Sequence, residues 1–200
     1  MTFVKPFIPN QTISMTKHTK KYLEAESAQT LREGVMELRR AETAENDAAE
    51  TFAPELKHDI DVHDAIHVIF ACQTTLAGEI IAHVWTAFGT TASLAEMHRV
   101  NRHADHRAVL AQIGHRKLLR VWLTSLPRIL TTILNAFCMK RRWRVEDMDS
   151  FLDQRLCDIR REHRIRLSKT SRTTVADEAT NGASLRSIRS KLPSLVKLKA

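Results

Sequence analysis

Glycine, proline and aromatic residues are scarce in this chain: five glycines, five prolines and 6% Phe, Trp and Tyr in 200 residues. That shortage favours a helical protein over a sheet-rich one. Cysteine is sparse too. Cys72, Cys138 and Cys157 show no paired spacing, so free thiols in a reducing compartment are expected and any metal site must use His and carboxylate. No uninterrupted apolar run reaches the ~18 residues of a membrane span. The richest stretch, Leu118 to Phe137, is broken by Arg120, Pro127 and Arg128. Internal repeats are absent, and the only Asn-Gly pair, Asn181-Gly182, lacks alternating flanks and reads as a bend.

What the chain does have is an uneven charge. The formal net charge is +8, yet twelve of the 23 acidic residues fall between Glu24 and Asp64. From Leu167 to Ala200, seven Lys or Arg face only Asp177 and Glu178. A basic end suggests a polyanionic partner, and an anionic membrane surface is expected over nucleic acid, because neither a recognition helix nor an aromatic stacking platform accompanies the basic residues. Leu185, Ile188, Leu192, Leu195 and Val196 recur at helical spacing among Arg186, Arg189, Lys191, Lys197 and Lys199, the composition of a basic amphipathic segment. Lys5, Lys17 and Lys20 without any Arg give an organelle transit peptide only weak support.

Apolar spacing divides the chain into an extended arm (1–19), a helical metal-binding domain (20–166) and a flexible basic tail (167–200). Within the domain, Leu31, Val35 and Leu38 mark a first helix at about 20–40. An acidic loop follows, then a helix over 59–71. A break at Cys72-Gln73-Thr74-Thr75 leads to a helix over 76–88, stopped by Gly89. Ser93 to Ile113 continues as a polar-faced helix. Leu118 to Phe137 forms one or two buried helices around Pro127. Phe151, Leu152, Leu156 and Ile159 form a last core helix. The fold class is all-α: one helical bundle with its metal site on an αα-hairpin.

The chemistry concentrates in His63-Asp64-Ala65-Ile66-His67, with Glu79 twelve positions further on. At ~100° per residue His63, His67 and Asp64 fall at roughly 0°, 40° and 100°, one third of a helix surface. If the flanking helices run antiparallel about Gln73, His67 and Glu79, each six residues from it, lie level, and so do His63 and His83, each ten away. Packed axes ~8–10 Å apart leave a gap that His and Glu side chains bridge. Glu79 sits between Leu76 and Ile80-Ile81, where an unpaired carboxylate would be costly to bury and a cation would neutralise it. His63, Asp64, His67 and Glu79 are thus candidate ligands of a divalent metal, zinc first, with iron, manganese and cobalt also suited. His83 either hydrogen-bonds the Glu79 carboxylate from outside or is a core histidine on a backbone carbonyl.

Competing motifs fail on detail. The chain holds no His-Glu-x-x-His and no pair of Glu-x-x-His repeats. The doublet His63-Asp64 also occurs in metal-dependent phosphohydrolases, but His58 and Asp105 would have to be conscripted and His67 and Glu79 left unexplained.

His-Asp-x-x-His followed by eleven residues and Glu resembles the signature of the ubiquinone biosynthesis protein four family, the fourth of the coenzyme Q assembly proteins. The resemblance covers about 55–165 and extends to Gly78-Glu79, Trp143 and Leu156-Cys157-Asp158-Ile159-Arg160. The segment before it lacks the Asp-Pro and Arg-Gly-Asp pattern of longer eukaryotic members, which places the chain nearer short bacterial relatives. The resemblance implies a divalent metal on these four residues and an apolar channel for a polyprenyl-quinone intermediate or other lipid. It also implies other ubiquinone-biosynthesis enzymes as partners, with homodimerisation left open. The implied activity is oxidative decarboxylation, hydroxyl replacing carboxyl on a polyprenylated hydroxybenzoate-derived ring. A non-catalytic lipid-presenting scaffold is the alternative. The implied location is the cytoplasmic face of the inner membrane in a bacterium, or the matrix side of the mitochondrial inner membrane in a eukaryote.

Overall fold

A computed structural model of the chain describes residues 20–43, 54–92 and 115–167. The arm at 1–19, most of the acidic loop, the 93–113 helix and nearly all of the basic tail fall outside these residues. The described residues are helical, with no strand among them. A 3-10 turn, Lys21–Leu23, precedes α1 (Leu31–Thr43), α2 (Pro54–Ile69), α3 (Leu76–Gly89) and α4 (His115–Phe137). A second 3-10 turn, Val145–Asp147, leads into two short helices, α5 (Met148–Phe151) and α6 (Leu156–His163).

α2 begins at Pro54 rather than 59 and ends at Ile69 rather than 71, and the expected helices change in three further places, each for a local reason. The first helix begins at Leu31 rather than near 20. Thr30 and Glu33 form a reciprocal capping box there: the Glu33 amide donates to Thr30 Oγ1 and the Thr30 amide to Glu33 Oε2. Before that box, the amides of Lys21 and Tyr22 donate to the Glu37 carboxylate, which folds the entering chain back on α1. The last core helix is two helices, α5 and α6, because the Leu152–Gln154 turn redirects the chain so that Gln154 and Leu152 accept from the amides of Leu31 and Arg32. Leu118 to Phe137 lies in one continuous helix, the first of the two expected alternatives, but its large apolar side chains are not buried: Leu119, Leu123, Leu130, Leu134 and Phe137 are exposed. Pro127 stays inside it at the cost of one backbone hydrogen bond. Among the described residues no helix is long and apolar enough to cross a membrane.

The core lies where α1, α2 and α6 meet the 3-10 turn at Tyr22. Tyr22, Leu31, Leu38, Ile66, Val68, Ile69, Leu156 and Ile159 are fully buried. Gly34 sets the approach of α1 to α2, since a Cβ there would lie 2.5 Å from Val68 Cγ1. α4 runs along α3, its most extensive neighbour.

The α2–α3 hairpin carries the site. α2 ends with Ala71 left-handed (φ 51°), its amide on the carbonyl of Val68 and the Cys72 amide on that of His67 at 2.8 Å. These are the two bonds of a Schellman stop, which most often uses glycine at the left-handed position. α3 then starts on Thr75, whose hydroxyl accepts from the Gly78 amide. Replacing Ala71 with Gly removes the Cβ clash of a left-handed alanine. It should raise stability by about 0.5–1 kcal/mol after the added chain entropy of the unfolded state is set against it. Chemical denaturation of the two proteins measures this directly.

Candidate metal centre

The antiparallel register expected from sequence is the one observed. His67 Nε2 and Glu79 Oε2 lie 3.4 Å apart, and His63 Nε2 reaches the same oxygen at 3.4 Å. The rings of His63 and His83 stand edge to face with centroids 6.1 Å apart. Donor atoms of His63, His67 and Glu79 all lie within 4.8 Å of one another, a group that could hold a metal ion.

His67 is the best fixed of the three. Its ring is buried, and Nδ1 lies 3.3 Å from the carbonyl of Cys72, the residue that completes the stop of α2. A carbonyl only accepts, so Nδ1 carries a proton, which leaves Nε2 as the nitrogen that can ligate a metal. That Nε2 is buried and makes no hydrogen bond. Its neighbour at 3.4 Å is a carboxylate oxygen, at a separation beyond the ~2.7–2.9 Å of a charge-assisted hydrogen bond. Ligands ~2.1 Å from a tetrahedral ion stand about 3.4 Å apart. The two imidazole–carboxylate edges therefore fit a cation between the side chains better than direct contact.

Asp64 stands outside this group. Its carboxylate is buried, and Oδ2 accepts from Arg39 Nε at 2.8 Å, while Arg39 also donates to Asp61 at 2.6 Å. Oδ1 lies 4.0 Å from His63 Nδ1, on the side of the ring away from Glu79. A carboxylate behind a histidine whose other nitrogen faces the metal position orients that ring and raises its basicity. His83 has the backbone contact of a core histidine: its Nδ1 meets the Glu79 carbonyl at 2.7 Å. His58 is exposed on α2, and Asp105 lies outside the described residues.

Without a metal the cluster holds a proton instead. Burial disfavours a charged His63, but the Asp64 and Glu79 carboxylates on either side of its ring outweigh it and hold its pKa up at about 10. Burial likewise opposes ionisation of Glu79, yet His67 and His63 hold its carboxyl well below the usual range. For His83, burial pushes the pKa down. The His63 contribution to stability is complete below its unfolded value near 6.5 and is lost as pH rises through about 10. The Glu79 contribution is present above about 4.5 and is lost as pH falls through its depressed pKa. The chelated protein should thus lose stability steadily from pH 6.5 to 10, and His63→Gln should flatten that slope. Denaturant midpoints across this range test it.

Sequence reasoning missed Arg39 and the Cys72 carbonyl. Arg39 meets Asp64 only through the packing of α1 on α2, and a backbone carbonyl leaves no mark on side-chain patterns. No protein-family model matches the chain, and no characterised protein or solved structure is detectably similar to it.

Proposed function

We propose that the chain is a divalent-metal protein of ubiquinone biosynthesis that exchanges the ring carboxyl of a polyprenylated, hydroxybenzoate-derived intermediate for hydroxyl. The observation that carries this reading is the buried, unbonded Nε2 of His67, aimed with His63 at one oxygen of Glu79. The motif that holds these three residues resembles that of the ubiquinone biosynthesis protein four family.

A bound metal would supply a Lewis acid for the carboxylate and phenolate oxygens of the ring as carbon dioxide leaves. Two imidazoles and one carboxylate suit zinc and non-haem iron alike. Three protein donors also leave a coordination position open, the pattern of catalytic rather than structural sites. The residues of the chain prepare this position. The Cys72 carbonyl fixes the tautomer of His67, Asp64 backs His63, and Arg39 ties Asp64 to α1. The exchange inserts one oxygen atom, so an external two-electron oxidant such as dioxygen is consumed.

In cells deleted for their own enzyme of this step, the wild-type chain should restore ubiquinone. Glu79→Gln should fold, fail to restore it and accumulate the carboxylated ring intermediate. Normal ubiquinone from a metal-free Glu79→Gln protein would replace the enzyme reading with that of a lipid-presenting scaffold.

A further inference from the structure

Helix α4 is packed inside out. The residues it buries are small or polar, Val121, Ser125, Thr132 and Ala136. Its large apolar side chains, Leu119, Trp122, Leu123, Leu130, Leu134 and Phe137, are 49–70% exposed. At ~100° and ~1.5 Å per residue these six share an arc about 120° wide and roughly 27 Å long. A contiguous apolar surface of this kind marks an interaction site.

Charge selects the partner. The 23 residues of α4 include no Asp or Glu. Arg116 and Arg120 are exposed at one end of the helix, and Lys140 and Arg142 are exposed just past the other. None of these four has a carboxylate partner among the described residues. A second copy of the chain would bring like charges together whether the two helices paired parallel or antiparallel.

The geometry points to an anionic lipid bilayer as the partner of this face. α4 lies in the plane of the interface, with the leucines and Phe137 at the acyl boundary and Trp122 at headgroup depth. The basic side chains at both ends extend to the lipid phosphates. This docking is independent of the metal centre.

The test uses the full chain and vesicles of equal parts phosphatidylcholine and phosphatidylglycerol. Trp85 and Trp143 are 3% and 0% exposed against 49% for Trp122, so a change in tryptophan emission on binding reports α4. Emission should shift to the blue and be quenched by bromine-labelled acyl chains, with little effect from pure phosphatidylcholine. Leu123→Glu with Leu130→Glu should weaken vesicle binding about a hundredfold. Arg116→Gln with Arg120→Gln should weaken it about twentyfold and reduce its salt dependence. Glu79→Gln should bind vesicles like the wild type, which separates this inference from the metal reading. Absence of quenching in the wild type would overturn the proposal. So would a dimer in sedimentation that the two Leu→Glu substitutions convert to monomer without altering vesicle binding.

Discussion

Replacing Arg160 with Met is expected to destabilise the folded chain by about 3–5 kcal/mol, a fall in Tm of about 8–15 °C for a chain of this size. The guanidinium is buried and donates to five backbone carbonyls. Tyr22 at 2.7 Å and Val68 and Ile69 at 2.8 Å are joined by Glu24 at 2.5 Å and Ala25 at 3.2 Å. Val68 and Ile69 belong to the last turn of α2, where the negative end of the helix dipole favours a cation. The other three belong to the segment that enters α1. Val68 and Glu24 also accept from the turn amides of Ala71 and Ser27, so the side chain from α6 is the donor that the carbonyls of Tyr22, Ala25 and Ile69 depend on. Burial lowers its own pKa only to about 10, so it stays charged. Methionine fills much of the volume and leaves the Tyr22, Ala25 and Ile69 carbonyls without that donor, at about 1–3 kcal/mol for each that water cannot reach. Arg160→Lys keeps the charge but lacks the planar fork, so it should recover less than half of the loss. A Met variant that melts within about 2 °C of the wild type would show that water replaces the guanidinium.

Gly78→Ala should produce the second large effect, and it should reach the metal centre. A Cβ on Gly78 would lie 1.9 Å from the carbonyl oxygen of Gln73 and 2.7 Å from its carbon. Both are backbone atoms of the hairpin turn, so no side-chain rotation relieves the contact. The turn has to open by more than about 1 Å, at a cost of roughly 2–3 kcal/mol. Gln73 follows the residue whose carbonyl fixes His67, and Gly78 precedes Glu79, so opening the turn separates two members of the cluster. Metal affinity should therefore fall at least about tenfold. Unchanged affinity would mean that the cluster tolerates a looser turn.

The hairpin could be read from the sequence because its signals are local. The apolar stripes of α2 and α3, the break after Ala71 and equal counting from Gln73 suffice to place His67 opposite Glu79. Local signals also existed where the reading went astray: Thr30-Leu31-Arg32-Glu33 is a capping box that marks the start of α1. Other features arise only from tertiary packing. Asp64 sits within the His-x-x-x-His spacing and looks like a ligand, but the register of α1 on α2 brings Arg39 against it. Arg160 falls among charged residues on a short helix and looks like a surface residue until α6 packs against the end of α2. The apolar spacing of Leu118 to Phe137 suggested a buried helix. Periodicity gives the width of an apolar face but not what covers it, and α4 turns its small residues inward instead.

Metal titration of the chelator-stripped full chain tests the central claim most directly. Wild type should take up a single divalent ion per chain and release a proton at neutral pH, because the ion displaces the one shared by His63 and Glu79. His67→Ala and Glu79→Ala should each lower affinity by more than about a hundredfold, beyond what the loss of an outer hydrogen bond costs. Uptake of the same ion with undiminished affinity by the His67→Ala, Glu79→Ala double variant would contradict the site.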